Sequence, residues 1–192
     1  MMKTEAKIIR LFIEEKGSKT IREISKRMKS DYRITHTAVQ RLLDKNIIVS
    51  KTVGKSVLCE MNNSYYSHEL YEAESNRKED FLKNRDLKQL YRDVMAKIKS
   101  SFFIFLVFGS YAKKQQTKSS DLDIIFISND KDFEEKTSNI LLLLPIKTHV
   151  LVFTEEEFIR MKDSKKSNVV KEAIENNIIL YGIENYYWLK NA

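Results

Sequence analysis

The first 45 residues carry apolar side chains at the three- and four-residue spacing of amphipathic helices. Three short helices are predicted there, and their apolar faces consist of Ile8, Ile9, Phe12 and Ile13 in the first, Ile21, Ile24 and Met28 in the second, and Ala38, Val39, Leu42 and Leu43 in the third. The first helix ends at Gly17. The second begins at Thr20, which forms a capping-box pattern with Glu23, and the third covers residues 35–45.

Two short β-prone runs, residues 47–52 and 56–61, follow the third helix. The three residues between them include Gly54, and this arrangement predicts a β-hairpin. Residues 62–76 contain polar and aromatic side chains but neither proline nor glycine, which favours a rigid helical connection over a flexible linker. A helical period of apolar residues over 84–100 predicts a helix that packs on a sheet.

The rest of the chain alternates between strand-like and helix-like patterns. Residues 102–108 are seven consecutive apolar residues, which is typical of a strand buried on both faces. The pattern continues with an apolar run at 124–127, a helix at 131–143, a strand at 147–153, helices at 155–162 and 169–176 and an edge strand at 178–181. This alternation predicts an α/β unit built on a small sheet.

Candidate chemistry is concentrated between the first two of these strands. Gly109 and Ser110 end the first apolar run, and a glycine turn can point successive backbone N–H groups at a phosphate. Asp121 and Asp123 open the second run, and the two-residue period of a strand places both carboxylates on one face. Paired carboxylates repel unless a cation lies between them, and hard oxygen ligands suit Mg²⁺ or Mn²⁺.

Gly-Ser, a spacer and Ser-Asp-x-Asp together resemble the nucleotidyltransferase domain of the DNA polymerase beta superfamily, in its minimal nucleotidyltransferase branch. The match in type and spacing consists of Gly109, Ser110, Tyr111, Ala112, Lys113, Ser120, Asp121, Leu122 and Asp123. The resemblance implies transfer of an NMP from an NTP to an unknown acceptor with Mg²⁺ or Mn²⁺. Asp121 and Asp123 would be the catalytic metal ligands, and the nucleotide would be bound by Gly109, Ser110, Lys113 and Ser120.

The chain departs from this family pattern in two places. The family usually has a glycine where this chain has Lys114. Active members also have a third carboxylate on a later strand, where this chain has Thr148 or His149. Glu157 lies nearby, but its spacing from Thr154 is that of a helix capping box. The metal site therefore has two predicted ligands instead of three, which leaves open whether the protein is an active enzyme.

Composition and charge indicate a class of partner. The formal net charge of the 192 residues is +7, and residues 1–61 hold 14 Lys and Arg against 7 Asp and Glu, whereas residues 62–192 hold 20 of each sign. A polyanion partner of the N-terminal segment is one interpretation, and a solvated basic surface is the other. The single cysteine excludes an internal disulfide and a cysteine-rich zinc site. Without a signal-peptide core or a membrane-spanning apolar run, a cytoplasmic protein is expected.

Three helices followed by a hairpin resemble a winged helix-turn-helix domain, in which the third helix enters the major groove of DNA. By position, the DNA contacts would be His36, Thr37, Gln40 and Arg41 on the third helix and Lys51 and Lys55 on the hairpin. The predicted fold is α+β with two domains, a winged helix at 1–63 and an α/β nucleotidyltransferase-type domain with a small mixed sheet at 84–192. Residues 64–83 form the predicted helical connector.

Other functions are compatible with the same residues. A nucleotidyltransferase fold that has lost its chemistry could serve a DNA-binding regulator that senses a nucleotide. Minimal nucleotidyltransferases often neutralise toxins, so the chain could also be the antitoxin of a toxin–antitoxin pair, with the toxin as its protein partner and acceptor. A homodimer is a further expectation, because winged-helix proteins often read two half-sites.

Overall fold

The computed structural model describes residues 2–63, 66–100, 102–117, 119–141 and 146–192. The chain folds into two compact units, Met1–Arg77 and Lys78–Ala192. The boundary falls inside one helix, α4, within the segment predicted to be a helical connector; the first residues of that segment, 64 and 65, lie outside the described residues. No helix in the described ranges is both long and apolar enough to cross a membrane.

The N-terminal unit combines helices with a small antiparallel sheet. Its elements are α1 (Thr4–Glu14), β1 (Lys19–Thr20), α2 (Ile21–Met28), α3 (Tyr32–Asp44), β2 (Ile48–Val53), β3 (Ser56–Met61) and the start of α4 (His68–Phe81). The strands lie in the order β1-β3-β2. The hairpin turns at Gly54, whose positive φ of 60° is one that glycine adopts without steric cost. Cys59 is fully buried on β3, and burial raises the pKa of its thiol.

Side-chain caps mark the starts of α2 and α3. Thr20 and Glu23 form the predicted capping box at the start of α2. Asp31 caps α3 by accepting hydrogen bonds from the backbone N–H groups of Arg33 and Ile34, at 2.8 and 3.3 Å. The prediction that this helix begins at residue 35 is therefore wrong by three residues. The added turn has no apolar face to reveal it, because Tyr32, Arg33 and Ile34 are all exposed.

The C-terminal unit is built on a mixed four-stranded sheet in the order β6-β5-β4-β7. Its elements are α5 (Arg85–Lys97), β4 (Ile104–Phe108), α6 (Gly109–Ala112), β5 (Leu122–Ile127), α7 (Phe133–Leu141), β6 (Thr148–Phe153), α8 (Glu155–Asp163), α9 (Val169–Glu175), β7 (Asn177–Tyr181) and α10 (Ile183–Asn191). β5 and β6 are parallel, whereas β4 is antiparallel to both β5 and β7. The predicted α+β class with a small mixed sheet and the predicted edge strand at β7 are confirmed.

Alternation along the central strands separates two layers of side chains. One layer packs with α5 and α7 and includes Phe105 on β4 and Leu122, Ile124 and Phe126 on β5. Phe126 stacks on Phe105 with ring centroids 4.6 Å apart. The opposite face of the sheet meets α8, α9 and α10. Both central strands are therefore covered on both sides, as their apolar runs predict.

In this unit the predicted strand at 102–108 and the predicted helix at 131–143 both begin two residues later in the structure, at Ile104 and Phe133. The run at 102–108 predicts a strand from its first residue, but β4 begins at Ile104. Phe102 is 77% exposed, so it lies outside the core despite its apolar side chain. The predicted helix at 131–143 corresponds to α7, and its last two residues, 142 and 143, lie outside the described residues.

Candidate functional site

The two aspartates lie at the start of a central strand of the sheet. Asp121 immediately precedes β5, and Asp123 is its second residue. The intervening Leu122 packs in the layer beneath α5 and α7, so both carboxylates belong to the opposite face of the sheet. Asp123 pairs with Phe108, the last residue of β4. This register brings the turn that follows β4 alongside the carboxylate of Asp123.

Gly109 forms that turn, and its backbone comes unusually close to Asp123. Its φ is 66°, in the left-handed region that favours glycine. A Cβ atom at this position would lie 2.3 Å from Oδ2 of Asp123, well inside van der Waals contact. Any side chain here would displace the carboxylate. Ser110 follows, half-buried, in the single helical turn α6.

Two basic side chains at the start of β6, Lys147 just before the strand and His149 within it, face the two acids at the start of β5. Asp123 is in register with His149, whose Nδ1 lies 3.3 Å from Oδ1 of the aspartate. Lys147 donates to Oδ2 of Asp121 at 3.2 Å. Of the two residues predicted to occupy the position of a third carboxylate, His149 is on the aspartate face. Thr148 pairs with Leu122 and lies on the other face.

The comparison with known families agrees with this geometry. Residues 94–185 match the family model described as Polymerase beta, Nucleotidyltransferase. The C-terminal unit contains a nucleotidyltransferase domain. The matched residues include the turn at Gly109, both aspartates and the opposing strand β6. No curated protein and no solved structure matched the chain.

The carboxylates of the nucleotidyltransferase domain are suited to a hard divalent cation only with help from other ligands. Among the described residues, no group of three or more His, Cys, Asp or Glu side chains could hold a metal ion. Asp121 and Asp123 are only partly buried, so water and substrate oxygens can reach them. Mg²⁺ usually keeps several waters and binds through one or two carboxylates plus substrate phosphates. This pair therefore fits a metal that arrives with a nucleotide.

Glu157 has a structural role in the domain. Thr154 accepts a hydrogen bond from the backbone N–H of Glu157, and the glutamate carboxylate accepts in return from the backbone N–H and the hydroxyl of Thr154, at 2.9 and 3.0 Å. These hydrogen bonds hold the pKa of Glu157 below its usual value. The capping interpretation of the Thr154–Glu157 spacing is confirmed, and the carboxylate is occupied at the start of α8.

The other predicted nucleotide-binding side chains have partners within the domain. Lys113 forms an ion pair with Glu172 on α9, with 3.0 Å between Nζ and Oε1. The hydroxyl of Ser120 accepts a hydrogen bond from the backbone N–H of Thr117 at 2.8 Å. The structure thus brings Gly109 to Asp123, whereas Lys113 and Ser120 contact Glu172 and the backbone of Thr117.

Lys114, at the position where the family usually has a glycine, adopts the glycine-like conformation. Its φ is 56°. Its backbone N–H donates to the carbonyl of Tyr111 at 3.2 Å, and the N–H of Gln115 donates to the carbonyl of Ser110 at 2.9 Å. These bonds reverse the chain after α6. A left-handed conformation costs a residue other than glycine about 1–2 kcal/mol, so the shape of the loop is maintained at a cost in stability.

The side chains predicted to contact DNA are all exposed on the N-terminal unit: His36, Thr37, Gln40 and Arg41 on α3, and Lys51 and Lys55 on the hairpin. Several are engaged within the unit. Thr37 donates to the carbonyl of Arg33, Gln40 donates to Asp44, and Arg41 pairs with Glu5 at 3.1 Å.

Three side chains beside the candidate DNA contacts or the two aspartates were not predicted from the sequence: Arg33, Ile34 and Lys147. Arg33 lies on the exposed first turn of α3, and its guanidinium makes no hydrogen bond or ion pair with any residue the structure describes. The cap at Asp31 was the sequence signal for that turn. Ile34, which is 57% exposed, lies beside Arg33. Lys147 was missed because its contact with Asp121 depends on the register between β5 and β6.

Proposed function

We propose that the protein is a nucleotidyltransferase that moves an NMP from an NTP to an acceptor with a divalent metal ion, Mg²⁺ or Mn²⁺, at Asp121 and Asp123. The close approach of the Gly109 backbone to the carboxylate of Asp123 carries this proposal. It lies inside the segment that matches the nucleotidyltransferase family. A side chain at position 109 would fill the space that a phosphate and its cation need beside the carboxylate.

In the proposed reaction, an oxygen of the acceptor attacks the α-phosphorus, and the bond to the β-phosphate oxygen breaks to release pyrophosphate. When bound, the metal ion neutralises phosphate charge and aligns the reacting groups. Asp121 and Asp123 would hold it, and the Gly109–Ser110 turn would allow phosphate oxygens to approach the backbone. Lys147 is 83% exposed, so its ammonium group can leave Asp121 and interact with a bound phosphate.

We further propose that the N-terminal unit is a winged helix-turn-helix domain, residues 1–63, that binds DNA. The order of three helices and a hairpin supports this, as does the excess of seven positive charges within residues 1–61. α3 would be the recognition helix, and Lys51 and Lys55 would contact phosphates. Residues 64–83 would connect this domain to the nucleotidyltransferase domain at 84–192.

Calorimetric titration tests the nucleotide site directly. Mg²⁺ and each NTP are titrated into the wild type and into an Asp121→Asn/Asp123→Asn variant. We expect NTP binding that requires metal in the wild type and is lost in the variant, because asparagine is uncharged and a poorer metal ligand. Circular dichroism checks that the variant remains folded. A wild type that binds no NTP in the presence of Mg²⁺ or Mn²⁺ would contradict the proposal.

A second candidate function is a DNA-binding regulator whose nucleotidyltransferase domain senses a nucleotide without turnover. His149 favours it, because a basic side chain faces Asp123 at the place where a third carboxylate is expected. This candidate predicts DNA affinity that changes with NTP and no release of pyrophosphate. The enzyme predicts pyrophosphate release once its acceptor is supplied, so the two functions are distinguishable.

A further inference from the structure

Lys114 combines an unfavourable backbone conformation with an unused charge. Its left-handed φ is one that glycine would adopt without strain. Its side chain is exposed and makes no hydrogen bond or ion pair with the parts of the chain that the structure describes. Residues in such conformations cluster at functional sites. The backbone therefore tolerates a strained lysine at a position where glycine would fit better.

The neighbouring Lys113 is a useful contrast. Its ammonium group is held by Glu172, 3.0 Å away, so its charge is already partly neutralised. Lys114 is instead fixed through its backbone. The backbone N–H of Gln115, the residue after Lys114, donates to the carbonyl of Ser110. This hydrogen bond folds the loop back so that Lys114 is next to a residue that contacts the Gly109–Ser110 turn. A lysine side chain at this point is long enough to reach the space in front of that turn.

We propose that the ammonium group of Lys114 binds the β- and γ-phosphates of the nucleotide, so that this chain selects a triphosphate with a residue of its own loop. This inference rests on the proposed nucleotidyltransferase function. The α-phosphate must lie at the aspartates, where the acceptor attacks, and the phosphates that leave extend past the Gly109–Ser110 turn. A compact lysine charge beyond that turn meets those leaving phosphates.

The test compares four variants in binding of ATP, ADP and AMP with Mg²⁺, with urea denaturation of each. Lys114→Gly and Lys114→Asn remove the charge, and both residues accept the left-handed conformation. We expect each to bind ATP about tenfold more weakly than the wild type, equivalent to about 1.4 kcal/mol, with a smaller loss for ADP and none for AMP. Lys114→Arg should keep most of the affinity. Lys88→Gln, which removes one exposed charge from α5, is the control and should leave ATP affinity unchanged.

Stability gives a second readout with the opposite sign. Lys114→Gly should unfold at the same or a higher urea concentration than the wild type, since glycine removes the backbone strain. Weaker ATP binding together with undiminished stability supports the inference. Equal ATP affinity in the wild type, Lys114→Gly and Lys114→Asn overturns it while leaving the proposed function intact. Absence of nucleotide binding by the wild type overturns the proposed function and this inference with it.

Discussion

The two candidate surfaces of this protein are built in different ways. On α3, the candidate DNA contacts are exposed side chains on one helix, and each projects from a backbone that would be the same without it. Around Asp123, the site depends on main chain brought against a carboxylate by strand register and by a glycine. Each substitution of a charged side chain on α3 should therefore reduce DNA binding by a small amount. A disturbance of the backbone around Asp123 should instead abolish nucleotide binding.

The largest effect should come from Gly109→Ala. The new Cβ would clash with Oδ2 of Asp123 and the residue would keep a positive φ, so the carboxylate must move. We expect the free energy of unfolding to fall by about 2–4 kcal/mol, from left-handed strain and overpacking together. Nucleotide binding should be lost. Urea denaturation and calorimetry measure the two effects.

Gly54→Ala is the matched control for that substitution. Gly54 has a similar φ of 60°, but a Cβ there would meet nothing within 4 Å. It should cost only the left-handed strain, about 1–2 kcal/mol, and leave nucleotide binding intact. Equal losses of stability in the two variants, with nucleotide binding retained in both, would show that close approach to Asp123 is not what position 109 requires.

A smaller effect is expected from Arg33→Ala on the exposed helix. Removing one phosphate contact should weaken binding to mixed-sequence duplex DNA a few-fold and reduce the slope of log affinity against log salt by about one. Stability and NTP binding should not change. Lys88→Ala, which removes one exposed charge from α5, is the control. If both variants lower DNA affinity equally, the effect comes from net charge and not from α3.

The smallest effect concerns pH and is expected in both units, since α2 and α8 each begin with a capping box. Hydrogen bonds from Thr20 lower the pKa of Glu23, and those from Thr154 lower the pKa of Glu157. A carboxyl group with a lowered folded-state pKa stabilises the fold above its unfolded pKa, near 4.3. That stabilisation disappears as the pH falls through the folded-state value.

We therefore expect Glu23→Gln and Glu157→Gln each to be slightly less stable than the wild type at pH 7, with the gap closing near pH 3. Glutamine can fill the same position in a capping box, so the cap itself is largely retained and only the titrating charge is removed. Urea midpoints at the two pH values measure the effect. A gap of the same size at both pH values would mean that the charge of the carboxylate does not contribute.

Local signals in the sequence predicted much of the fold. The capping boxes at Thr20 and Thr154 were visible as pairs of residues three apart, and the apolar run before Gly109 was long enough to identify a buried strand. The start of α3 was missed because Ile34 is exposed and interrupts the apolar period. Phe102 led to the opposite error. It was included in the predicted strand because it is apolar, although its side chain lies outside the core.

Contacts between distant segments could not be predicted in the same way. The sequence placed two acids on one strand and left His149 and Thr148 as alternatives on another, but only the register decides which one faces Asp123. The same register brings the ammonium group of Lys147 to Asp121. The conformation of Lys114 was also hidden, because nothing local favours a left-handed lysine. It follows from the hydrogen bonds that reverse the loop.

Cys59 is a chemical probe for local opening of the N-terminal unit. It is the single cysteine of the chain and is fully buried on β3, so a thiol reagent can modify it only when that strand is released from its neighbours. The rate of labelling therefore measures how often the proposed DNA-binding unit opens. Comparing that rate with and without nucleotide would reveal whether nucleotide binding changes how often β3 opens.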